Sequence, residues 1–168
     1  LEFRRVLFRS GEVVFAFDGD RAGRAAAWRA LQNALPEVRE GRQLRFLFLP
    51  DGEDPDTLVG KEGKEAFEAR LDAALPLSEY LVRELASQTD LGNADGRARF
   101  AAAARPLVAK VPEGVYRELL VERLAESIKL PAPRLRELWA GDVGAVESQR
   151  APANDRAGSG RTARSEIG

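Results

Sequence analysis

The chain has 168 residues, 44% hydrophobic and 32% charged, with a formal net charge of −1. That balance suits a soluble globular protein of one medium or two small domains, and it gives no global basic field to announce nucleic acid, although a local basic stripe can still bind phosphate. Cysteine and histidine are both absent, which excludes disulfides, Cys/His zinc sites and nucleophilic catalysis by either residue, so any metal must be held by oxygen.

No apolar run approaches the length needed to span a bilayer. The chain starts at Leu1 and contains no methionine, so it is expected to be a piece of a longer or processed protein. Leu1 to Ser10 is basic and apolar but lacks a small-residue cleavage site, so it is not a signal peptide. It reads poorly as a continuation of the strand that follows, and residues 1–10 are expected to be a non-native leader outside the fold.

Val13 to Phe17 is short, branched and aromatic, the pattern of a strand buried on both faces. Asp18-Gly19-Asp20 follows as a turn. Arg21 to Leu35 then spaces Ala25, Trp28, Leu31 and Leu35 as one helical face, and Pro36 ends it. After a polar loop, Leu44 to Leu49 is a second strand. The result is a β-helix-β unit with a right-handed parallel crossover. Both strands run into acidic loops, the second being Asp51-Gly52-Glu53-Asp54-Pro55-Asp56. Parallel strands place their carboxyl ends on one sheet edge, where open α/β sheets bind ligands.

Thr57-Leu58-Val59 is expected to begin a short turn. Lys61 to Ala74 is expected to be one amphipathic helix bearing Ala66, Phe67 and Leu71, closed by Pro76. Helices follow throughout: Leu77 to Ser87, Asp95 to Lys110 with Pro106 as a kink or boundary, Val115 to Leu130, and a short one from Arg134 to Trp139. Gly141 to Gly168 is rich in small and polar residues and is expected to be linker or disorder. The fold class is therefore α/β: a parallel-sheet β-α-β unit over residues 11–75, an all-α subdomain over 76–140, and a tail over 141–168.

Each acidic cluster has an ordinary reading. Asp and Gly suit turns, and an acidic residue before a helix, such as Asp20 or Asp56, can simply cap it. The conjunction favours a divalent cation. Like charges gathered at two strand ends of one unit destabilise the fold unless a cation offsets them. Arg21 and Arg24, nearest that edge, are either a solvated helix face or phosphate ligands. Trp28, Phe46 and Phe48 read as core.

The string Val14 to Arg24, the strand Leu44 to Leu49 and the string Pro50 to Leu58 together resemble the Toprim domain of bacterial DNA primases of the DnaG type. Lys61 to Phe67, Pro76-Leu77-Ser78 and Asp95 to Arg99 resemble the same family, from about Glu12 to about Trp139. The resemblance implies a partial Toprim unit followed by the helical part of a polymerase core. It implies an enzyme that makes short RNA primers on a single-stranded DNA template from ribonucleoside triphosphates, in the cytoplasm at replication forks. Asp18, Asp20, Asp54 and Asp56 map onto the family's catalytic, metal-holding positions for Mg²⁺, with Mn²⁺ as a substitute, and Arg21 and Arg24 become phosphate ligands. The family's Toprim glutamate lies in a Glu-Gly-Tyr-like string, and none precedes Val13. Its zinc module and its helicase-binding carboxyl-terminal domain are expected to lie outside this chain, so the fragment alone is expected to be inactive. Two rival readings are a Toprim topoisomerase or nuclease, and a non-catalytic module that docks a replication partner.

Overall fold

The computed structural model describes residues 3–9, 11–39 and 41–148. Among these, a four-stranded sheet has the order β1-β2-β3-β4. Strand β1 spans Phe3–Arg9, β2 Glu12–Asp18, β3 Gln43–Leu49 and β4 Leu75–Pro76. The central pair is parallel, with Phe15 opposite Phe46 and Asp18 opposite Leu49. The outer strands run antiparallel to it.

The expected β-helix-β unit is present. Helix α1, Arg21–Ala34, connects β2 to β3 and ends in a 3-10 turn at Leu35–Glu37. Alternation along the strands splits their side chains between two faces. Phe17 and Phe46 point to the face covered by Ala27 and Leu31 of α1. Val14, Ala16, Leu47 and Leu49 point to the other face, covered by Leu58, Phe67 and Leu71. Ala25, placed on the inner face by spacing, is exposed, and Ala27 takes its role.

Three expectations need correction. Residues 3–9 are not outside the fold. They form the edge strand β1, paired with β2 from Arg9–Glu12 outward, and Leu7 packs on the second core cluster. The strand lies at the edge of the sheet, and Gly11, at φ 77°, supplies the left-handed turn into β2. The stretch after Asp54 is helical at once. Helix α2 runs Pro55–Glu62, and a separate α3 runs Lys64–Asp72. They part at Gly63, whose φ of 87° cannot continue a helix. Pro76 ends no helix. It sits in the edge strand β4, where its missing N–H does no harm.

The helical part comprises α4 (Leu77–Ser87), α5 (Ala94–Lys110), α6 (Val115–Ser127) and α7 (Ala132–Ser148). Pro106 lies inside α5 without ending it. Helix α7 carries the chain past the boundary expected at residue 140, so Gly141 to Ser148 is helical. The remainder of the expected tail lies outside the described residues. Phe100, Leu107, Leu120, Leu124 and Leu135 join Phe17 and Phe46 in one continuous buried cluster. The helical part and the sheet thus share a core, linked through Tyr80 and Leu81 of α4.

Candidate metal-binding edge

Both acidic loops leave the same edge of the sheet, as parallel strands require. The Gly19 N–H donates to the Leu49 carbonyl over 2.8 Å. This bond brings the first loop against the end of β3. Gly19 is needed there because a Cβ would stand 2.7 Å from the Leu49 oxygen and 3.6 Å from Asp51 Oδ1. The two clusters therefore meet at Gly19 and Asp51. Asp51 belonged to the second acidic string but not to the expected ligand set. The parallel register, which puts Leu49 beside Asp18, is the signal that points to it.

Asp20 is the N-cap of α1, and its Oδ1 accepts the Gly23 N–H at 2.6 Å. Gly23 lets α1 seat closely on the strand end, since a Cβ there would lie 2.1 Å from the Asp18 carbonyl oxygen. Asp54 plays the same part for α2, accepting the Thr57 N–H at 2.8 Å with Pro55 in the first turn. The ordinary capping role thus falls on Asp20 and Asp54. Asp56 is exposed in the first turn of α2. Asp18 is half-buried, and its Oδ1 is shut off from solvent. Glu53, between the caps, pairs with Lys61.

The arginines divide. Arg24 turns back on the edge, its Nε donating to the Gly19 carbonyl at 3.1 Å. Arg21 is exposed at the start of α1. Among the described residues no three acidic side chains close on one point as a metal cage would. Capping commits one carboxylate oxygen of Asp20 and one of Asp54. The donor set nevertheless fits a hard cation of the Mg²⁺ kind. It is all oxygen, and Mg²⁺ is usually held by one or two carboxylates plus substrate phosphates rather than by an all-protein cage.

Two grooves lie elsewhere. One, of about 730 Å³, is at the opposite, amino-terminal end of the strands, beside Arg39, Arg42 and Tyr116. The acidic edge is open surface, which suits a large polymeric or triphosphate ligand better than an enclosed small molecule.

A β-α-β unit with paired acidic strand ends and helices on both faces defines a Toprim-type protein, and residues 2–49 match the Toprim domain model. Residues 78–132 match the model described as the DnaB-helicase binding domain of primase. The DNA primase of Escherichia coli K12 is 56% identical over 125 residues, covering 74% of this chain and 22% of that protein. A solved DNA primase domain from Pseudomonas aeruginosa superposes with a TM-score of 0.71 at 44% identity, over 77% of this chain and 41% of that one. A DnaG primase catalytic domain solved bound to single-stranded DNA gives 0.68 at 53% identity, over 72% and 38%. The chain belongs to the DnaG-type bacterial DNA primases and is homologous to their catalytic core. It spans about a fifth of the length of the curated relatives it matches most strongly.

Proposed function

We propose that this chain supplies the acidic edge of a primase, a DNA-directed RNA polymerase that builds short RNA primers on single-stranded DNA from ribonucleoside triphosphates. The observation that carries the reading is the junction of Gly19 with Leu49 and Asp51, which joins two carboxylate-rich strand ends in a primase-like sequence. Asp18, Asp20, Asp54 and Asp56 would hold Mg²⁺ or Mn²⁺ there. When bound, such a cation neutralises phosphate charge and favours ionisation of the attacking 3′-hydroxyl.

The chain's own residues do the positioning. The capping bonds of Asp20 and Asp54 hold those two carboxylates at the carboxyl-terminal edge of the sheet. Arg24, oriented by the Gly19 carbonyl, and exposed Arg21 present guanidinium groups to triphosphate oxygens. The isolated chain is inactive on this reading, because the template contacts and the remaining nucleotide contacts come from elsewhere in the protein.

The topoisomerase reading takes its tyrosine nucleophile from another domain, and the two tyrosines here serve packing. Tyr80 is only 3% exposed, stacked on Phe46, and burial pushes its phenol well above the usual range. Burial pushes Tyr116 up to about 12, with a hydrogen bond to Ser78 opposing the shift. The match of residues 78–132 to a helicase-binding model runs against the expectation that helicase binding lies wholly outside this chain, and it favours a second role. On that reading helices α4 to α6 dock the replicative helicase, in the cytoplasm at the fork.

The test is primer synthesis by the full-length primase carrying Asp18→Asn or Asp54→Asn. Losing a carboxylate that holds the cation should remove several kcal/mol of transition-state stabilisation, a drop of about 100-fold or more. Synthesis at the parental rate in both variants would remove the acidic edge from the mechanism.

A further inference from the structure

Glu53 sits between Asp51 and the cap Asp54, yet it neither caps a helix nor belongs to the proposed ligand set. Its N–H donates to the Pro50 carbonyl at 3.1 Å, closing a turn in which Gly52 has a φ of 78°. The turn keeps Glu53 at the strand end, and its side chain is only 18% exposed. One carboxylate oxygen, Oε1, accepts from Lys61 Nζ. The other, Oε2, is shut off from solvent and has no hydrogen-bond partner among the described residues. A carboxylate oxygen buried in that state lowers stability, so the placement of Glu53 works against the fold.

Lys61 stands in the last turn of α2, eight positions further along. Helical side chains lean toward the amino terminus, and Lys61 reaches back along α2 to the acidic loop. Its own side chain is 61% exposed, and an ion pair so open to solvent contributes little as a clamp. Its larger effect is on charge. A divalent cation feels a neighbouring unit charge twice as strongly as a monovalent ion does, and Lys61 cancels one negative charge in the loop that carries Asp51, Asp54 and Asp56.

We propose that Lys61 is an internal counter-ion of the acidic edge, cancelling Glu53 so that the edge holds a bare divalent cation weakly and holds it firmly only together with a triphosphate. This rests on the metal reading given above. It agrees with the way Mg²⁺ is usually bound, by one or two carboxylates completed by substrate phosphates. Left uncompensated, Glu53 would add a further carboxylate charge and let a cation settle without nucleotide. The rival role, a clamp that steadies α2 and so strengthens cation binding, predicts the opposite sign when Lys61 is neutralised.

The test titrates Mn²⁺ into the full-length primase without nucleotide, following the free ion by electron paramagnetic resonance. Lys61→Met should tighten binding by about tenfold, and Glu53→Gln, which leaves the lysine uncompensated, should weaken it by a similar factor. The double variant restores the net charge and should bind within about twofold of the parent, as should Lys61→Arg. Unchanged or weaker binding in Lys61→Met, or unchanged or tighter binding in Glu53→Gln, would overturn the proposal. If Asp54→Asn still weakened binding in that case, the metal reading would stand without it. Parental binding in both Asp18→Asn and Asp54→Asn would remove the metal reading and this proposal together.

Discussion

At the scale of single residues, Asp20 has two tasks that a substitution can separate. Its carboxylate caps α1 through Gly23, and on the proposed reading it also helps hold a cation. Asparagine accepts the same N–H bond but carries no charge, whereas alanine does neither. Asp20→Ala should therefore lower the unfolding free energy by about 1 kcal/mol, and Asp20→Asn by only a few tenths. Urea unfolding of the isolated chain measures this. In the full-length primase both variants should lose primer synthesis alike. If the asparagine variant stayed active while the alanine variant failed, the residue would matter as a cap and not as a ligand.

At the scale of elements, what was legible depended on whether a local signal or a tertiary one decided the outcome. The strands around Phe15 and Phe46 and helix α4 announce themselves through continuous apolar runs and helical spacing. The break between α2 and α3 does not, because the spacing of Leu58, Phe67 and Leu71 tolerates one interruption and only the φ of Gly63 marks it. Strand β1 was hidden for another reason. An edge strand needs just one packed face, so a string that mixes basic and apolar residues gives no clear strand pattern. The metal edge was half legible: acidic strand ends are visible in the string, but the Gly19–Leu49 bond that joins them is set by register. Gly63 supplies the prediction at this scale. A Cβ there meets nothing within 4 Å, so alanine pays only the conformational penalty. Gly63→Ala should cost about 1 kcal/mol in unfolding free energy, without loss of secondary structure by circular dichroism. A stabilised variant would mean that the break relaxes into one continuous helix.

At the scale of the whole molecule, the sheet and the helical part unite in one buried cluster, and charge adds a link between α4 and α6. Arg123 donates from Nε and Nη2 to the two carboxylate oxygens of Glu79, at 2.7 and 3.1 Å, and from Nη1 to Ser127. The bonds from Arg123, and then its charge, hold the Glu79 carboxyl below its ordinary 4.5, with partial desolvation acting the other way. A carboxylate whose pKa falls on folding contributes stability that is fully present above the unfolded value and is lost as pH drops through the folded one. The side chains are 37% and 42% exposed, so solvent screening limits the pair to under about 1 kcal/mol. Glu79→Gln should therefore be less stable than the parent by a constant amount at neutral and mildly acid pH. Below 4.5 the two unfolding curves should draw together, and added salt should narrow the gap at neutral pH. A gap that persisted unchanged into strong acid would assign the stabilisation to packing of the Glu79 stem between the helices and not to its charge.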